Sequence, residues 1–130
     1  MPSIFSKIIA GDIPCHKVAE SDDYLAFLDI SPLQKGHVLV IPKVEVDYIF
    51  DIDDAILGDM MIFAKAISKK IKKAFPCDRI GITVIGLEVP HAHIHLIPIN
   101  QMSDMNFSNK KLKLNDNELV EIALKIRNQN

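Results

Sequence analysis

Between His91 and Leu96 imidazole and aliphatic side chains alternate without a break, in the segment His-Ala-His-Ile-His-Leu-Ile. A period of two fits a strand and no helix, because successive side chains of an extended chain point to opposite faces. The segment is therefore predicted to show His91, His93 and His95 on one face, spaced roughly 6.6 Å apart. Ala92, Ile94 and Leu96 then point the other way, into a core. Any fold open to this chain must run a sheet through this segment and pack something against its aliphatic side.

Three of the five histidines in the chain fall within these five positions. Imidazole can act as nucleophile, general base or general acid near neutral pH with little tuning, so the row is a candidate active site. Two other readings stand beside it. Strands with one wetted face are ordinary in antiparallel sheets, and histidines two apart on a strand can grip one zinc ion.

With 130 residues the chain is expected to form a single domain, residues 1–130, with one core. A net charge of −2 and a pI near 6.2 leave no electrostatic footprint for nucleic acid, and the Lys69–Lys73 run reads as the solvated side of a helix. No stretch approaches the ~20 apolar residues of a membrane span, and the N-terminus lacks a signal-peptide core. Cys15 and Cys77 form neither a disulfide framework nor a Cys-x-x-Cys clip. These readings point to a cytoplasmic protein with neither nucleic acid nor membrane as partner.

The order of elements is α+β. Ile4 to Ile9 reads as a short helix, or an extended segment, stopped by Gly11 and Pro14. Cys15–Ala19 and Tyr24–Leu28 form a hairpin about a polar turn, and His37–Ile41 is dense enough in Val, Leu and Ile for burial on both faces. Ile56, Met60, Phe63, Ile67 and Ile71 make one helical stripe, closed by Pro76. Arg79–Ile85 and His93–Ile99 are further strands, joined by residues 86–90. Asn115 and Glu118 form a capping box before an amphipathic last helix.

His91 to Ile97 fits the histidine-triad signature, and three more blocks accompany it in order: Ile4–Ile9, Leu25–Pro32 and Gly36–Lys43. Over residues 3–99 the chain resembles the Hint-like branch of the histidine-triad (HIT) nucleotide-binding proteins. The last thirty residues carry no such match. The resemblance implies a five-stranded antiparallel sheet with packed helices, extended across a homodimer. It also implies hydrolysis or transfer at the α-phosphorus of nucleoside phosphoramidates or related purine nucleotides, with no cofactor. In this reading His93 attacks phosphorus and forms a nucleotidyl-histidine, holding its proton on the nitrogen that faces the backbone beside His91. His95 donates to the phosphate oxygens, and His91 buttresses the site. Asp29 corresponds to the acid that receives the ribose hydroxyls, although a turn residue before Pro32 would also be an aspartate. Ile4, Phe5, Ile8, Phe27 and Ile30 correspond to the wall around the base.

Departures from the family pattern sharpen the expectation. Where zinc-carrying members place two cysteines and a histidine beside the first triad histidine, this chain has Ser3, Ser6 and Glu45 beside His91. Serine hydroxyls are poor zinc ligands, so no structural metal is expected, and Glu45 is placed to pair with His91. An Asn and a Gly-Gln-Ser/Thr segment that contact phosphate in many relatives give way to Ile85-Gly86-Leu87-Glu88-Val89-Pro90. Gly86 still matches, and Glu88 stands where a hydroxyl meets the leaving group. Two alternatives therefore remain: a low-turnover nucleotide-binding or scaffolding protein, and a metal-dependent hydrolase ligating through the histidine cluster with Glu88 or Glu45.

Overall fold

A computed structural model describes residues 2–130. Its elements are α1 (Ile4–Ile9), β1 (Lys17–Glu20), β2 (Tyr24–Leu28), β3 (Val38–Pro42), α2 (Asp54–Ala74), β4 (Arg79–Thr83), β5 (Ile94–Ile99) and α3 (Asp116–Arg127), with short 3-10 turns at Ile49–Asp51 and Met102–Met105. The five strands form one antiparallel sheet in the order β1-β2-β3-β5-β4. The α+β class with five antiparallel strands and packed helices is as the sequence implied.

α2 and α3 cover one face of the sheet. Met60, Ala64, Ile67 and Ile71 of α2 and Leu119, Ile122 and Ile126 of α3 meet Ala26, Val38, Val40, Ile94 and Leu96 in an apolar core. Asn115 and Glu118 satisfy each other's backbone N–H groups at the start of α3, which fixes where that helix begins. The opposite face carries a smaller cluster of Phe5, Leu25, Phe27, Leu39 and Ile41 under α1. β3 is buried on both faces because both clusters draw on it.

Six residues are marginal as an isolated helix. α1 forms because the Ser3 hydroxyl accepts the Ser6 N–H at 3.0 Å and Phe5 packs onto the sheet. Four strands depart from their expected spans, β3 by one residue at each end (Val38–Pro42). β1 starts at Lys17, two residues late, with a register irregularity between Lys17 and Ala19. β4 stops at Thr83, short of Ile85, and residues 84–90 leave the sheet through a left-handed turn at Gly86 (φ 77°). β5 begins at Ile94, because the Ala92 N–H goes to the carbonyl of Val46 at 2.7 Å and not to a neighbouring strand. The alternation nevertheless runs on through residues 91–96: Ala92, Ile94 and Leu96 lie in the α2/α3 core.

Gly36 turns the chain into β3 at φ 93°, and a Cβ there would stand 3.0 Å from Phe75 and 3.2 Å from Pro98. Both facts favour glycine immediately before His37. Among the described residues, no helix is long and apolar enough to cross a membrane.

Candidate active site

The histidine face is not wetted. His91, His93 and His95 are only 0, 6 and 8% exposed, because α1 lies over them: the Phe5 ring meets His91 and His93 edge-on at centroid distances of 5.8 and 5.1 Å. This excludes the reading of a merely solvated strand face. Buried imidazoles need a hydrogen-bond partner for each ring nitrogen or access to substrate, and the partners here fix every tautomer.

The His91 Nε2 meets the carbonyl oxygen of Pro42 at 2.8 Å, and a carbonyl only accepts, so Nε2 holds the proton. Its Nδ1 is then the acceptor for the Ser3 hydroxyl at 2.8 Å. The His93 Nδ1 donates to the carbonyl of His91 at 2.7 Å. The Nε2 lone pair of a neutral His93 is thereby left for the cleft. At the other end the Leu33 N–H donates to His37 Nδ1 at 3.1 Å, which puts the His37 proton on Nε2. That proton goes to His95 Nδ1 at 3.0 Å. His95 consequently carries its own proton on Nε2, and among the described residues no protein group accepts it.

Burial sets the charge as firmly as the backbone sets the tautomers. Desolvation pushes His37 down to about 3, and His95 down to about 4 with His93 as a lesser cause. His91 is lowered too, chiefly by burial, against the opposing pull of the Pro42 bond and of Glu45. These three rings are neutral at pH 7.

A cleft of about 520 Å³ opens beside them. His93, His95, Asp29, Gly86 and Glu88 line it, as do Ile4, Phe5, Ile8, Phe27 and Ile30, so the structure brings together every expected site residue except His91, which lies behind the wall. Ile30 is 68% exposed, an apolar side chain left open at the rim. Asp29 acts as the expected turn residue: one carboxylate oxygen accepts the Ser31 N–H at 2.9 Å, and the other stands 3.6 Å from His37 Nε2. Its pKa is raised, mainly by burial. Glu88 is exposed where it lines the cleft.

The expected pairing of Glu45 with His91 does not occur. Glu45 receives the Ser3 N–H and the Ser6 hydroxyl (2.7 Å) on one oxygen, and Ser3 in turn touches His91. The carboxylate is one residue removed from the ring because the serines, one at the cap of α1 and one within it, fill the space between. The same bonds test a metal at this place. His91 Nδ1 is engaged by a hydroxyl and both serines are neutral, so the donor set does not fit zinc.

Asp29, His37 and His95 do bring one potential ligand atom each within 4.8 Å of one another. The Leu33 N–H forces His37 Nε2 to stay protonated, which removes its lone pair from any metal. The geometry thus counts against a metal-dependent hydrolase.

Three further residues take part that no motif in the sequence marks as site residues: His37, Phe107 and Lys111. His37 stood in the Gly36–Lys43 block, where a lone histidine at the mouth of an aliphatic strand was the available signal. Phe107 packs edge-on against His95 at 4.9 Å and against His37 at 6.2 Å. Lys111 joins it in the cleft wall. Neither carried a signal, since both come from a segment with no motif.

A family model described as the HIT domain matches residues 10–102. The protein called Protein hit from Bacillus subtilis is 40% identical over 102 residues, covering 73% of this chain and 69% of that protein. Adenosine 5′-monophosphoramidase hnt1 of Schizosaccharomyces pombe is 39% identical over 99 residues, covering 75% of this chain and 74% of the relative. A crystal structure of a Hit-like protein from Bartonella henselae superposes with a TM-score of 0.83 at 35% identity, covering 96% of this chain and 94% of that one. The structural match therefore extends over the last thirty residues as well.

Proposed function

This chain belongs to the HIT domain family, and from the way its own imidazoles are held we propose that it hydrolyses nucleotides at the α-phosphorus, with purine nucleoside phosphoramidates as the substrate class. The observation that carries the reading is the His93 Nδ1 bond to the His91 carbonyl, which aims an unprotonated Nε2 into the cleft. Relatives named adenosine 5′-monophosphoramidase in two yeasts and adenylylsulfatase in Arabidopsis thaliana support a hydrolase of nucleotides.

In the first step His93 Nε2 forms a bond to phosphorus as the P–N bond breaks; the departing nitrogen takes up its proton from solvent in the open cleft, and the ring keeps its Nδ1 proton on the His91 carbonyl. Water then hydrolyses the nucleotidyl-histidine and returns the neutral ring. His95 Nε2–H donates to a non-bridging oxygen as charge gathers there, and its orientation comes from His37 behind it. Asp29 takes the ribose hydroxyls, the apolar wall from Ile4 to Ile30 holds the base, and Gly86 lets the backbone approach phosphate. Glu88 favours a cationic amine over a polyphosphate as leaving group, because a carboxylate attracts one and repels the other. No step needs a cofactor.

The homodimer belongs to this proposal. β4 is a sheet edge, and exposed Ile82, Val84, Leu87, Tyr48 and Phe50 border it, an apolar surface that a second copy would cover. Free Cys15 and Cys77 fit a reducing, cytoplasmic compartment.

Intact-mass spectrometry after brief incubation with adenosine and guanosine phosphoramidates tests the chemistry. A nucleotidyl adduct on the native protein, lost in His93→Ala, is expected. Binding of nucleotide with neither adduct nor turnover would instead establish the low-turnover binding or scaffolding protein.

A further inference from the structure

The cleft has an electrostatic problem that the histidines do not solve. Its substrate is an anion, yet two of its charged side chains are the carboxylates Asp29 and Glu88, and His95 is neutral at pH 7. Among the described residues lining the cleft, Lys111 is the single Lys or Arg. It comes from the segment between β5 and α3, beyond the residues that the family model matches.

That segment is anchored. The Leu112 N–H donates to the Pro32 carbonyl at 2.9 Å, which ties it to the loop just after Asp29. Phe107 lies against His95, and the Lys111 ammonium sits 5.7 Å from the centre of the Phe107 ring. Its present hydrogen-bond partners are the carbonyls of Phe107 and Asn109, neutral acceptors with no carboxylate among them. Lys111 is near enough to act electrostatically on both Asp29 and His37. A half-buried ammonium that acts on Asp29 at a distance, but forms no contact ion pair among the described residues, can turn to an anion that enters the cleft.

We propose that Lys111 is a substrate-binding residue that supplies the counter-charge for the phosphate of the bound nucleotide, leaving its two carbonyl partners when substrate enters. The proposal rests on the nucleotide reading above. With Glu88 also lining it, the cleft then carries a cation for the phosphate and an anion for the departing amine. Such polarity selects substrates that hold both charges.

Titration calorimetry with adenosine 5′-monophosphate and with adenosine, at low and at high salt, tests this on the full chain. Lys111→Gln keeps a polar side chain for the carbonyls and removes the charge. It should weaken monophosphate binding about tenfold or more at low salt, leave adenosine within about twofold, and flatten the salt dependence. Lys111→Arg should retain most of the monophosphate affinity. Equal loss for both ligands would reduce Lys111 to a strut for the segment and overturn the proposal, as would no loss for either. Native protein that fails to bind the monophosphate at all would overturn the nucleotide reading itself, an outcome distinct from native binding that Lys111→Gln leaves intact.

Discussion

The two faces of the sheet are made by the same strands and packed in opposite ways. Against α2 and α3 lies an extensive cluster of aliphatic side chains with hardly a polar atom. On the other face α1, a helix of six residues, sets Phe5 against His91 and His93, and Phe107 covers His37 and His95, beside the apolar side chains Leu25, Phe27, Leu39 and Ile41. Residues next to each other in sequence, such as His93 and Ile94, serve different faces. The first face supplies burial enough to stabilise the domain, and the second spends stability on holding His37, His91 and His95 uncharged in low dielectric.

If that division is real, substitutions on the two faces should fail in different ways. The largest effect belongs to His93→Ala, expected to lower turnover at least about a thousandfold, or 4 kcal/mol of barrier, while keeping nucleoside monophosphate binding and changing the melting temperature little. Steady-state kinetics with near-normal turnover in this variant would place the nucleophile elsewhere. On the other face Ile71→Ala, at a fully buried position, should cost about 2–5 kcal/mol in denaturant unfolding and leave kcat of the folded fraction intact.

Acid should strike the histidine face first. His37 and His95 are held down to about 3 and 4, whereas an unfolded chain titrates its histidines near 6.5. Between about pH 4 and 6.5 the unfolded chain binds more protons, so stability is complete above that window and falls as pH drops through it, by roughly 1–3 kcal/mol per pH unit. Asp29, raised by burial, opposes this at the acidic end. Melting curves from pH 7 to 5 should show the loss, and His95→Gln should reduce the slope. A slope unchanged by that substitution would assign the acid sensitivity to other groups.

Smaller effects come from the supports. Ser3→Ala removes both the cap of α1 and the donor to His91, for about 0.5–2 kcal/mol of stability and a modest fall in kcat. Glu88→Gln, on an exposed rim, should move stability by under about 0.5 kcal/mol. Its effect should appear as a weaker preference for amine over polyphosphate leaving groups in competition assays.

Much of this was legible without coordinates. The alternation from His91 to Leu96 was enough to separate the two faces, and the stripe from Ile56 to Ile71 was enough to cover one of them, because both are local periodicities of the backbone. The short ladder of β5 was not legible, since it depends on Val46 taking the Ala92 N–H from forty-six residues away. Nor was the detachment of Glu45 from His91, which turns on where the cap of α1 lands.

By itself the sequence determined the α+β class, the family and the row of histidines, all of which follow from side-chain order along one chain direction. Tertiary structure decided which nitrogen of each ring carries the proton, a choice that the family resemblance had implied for His93 alone. That choice belongs to the carbonyls of Pro42 and His91 and the N–H of Leu33, backbone groups identical in every residue type and therefore silent in a sequence. It likewise decided that Phe107 and Lys111 belong to the cleft, because only folding brings a segment without a motif against His95 and the turn beside Asp29.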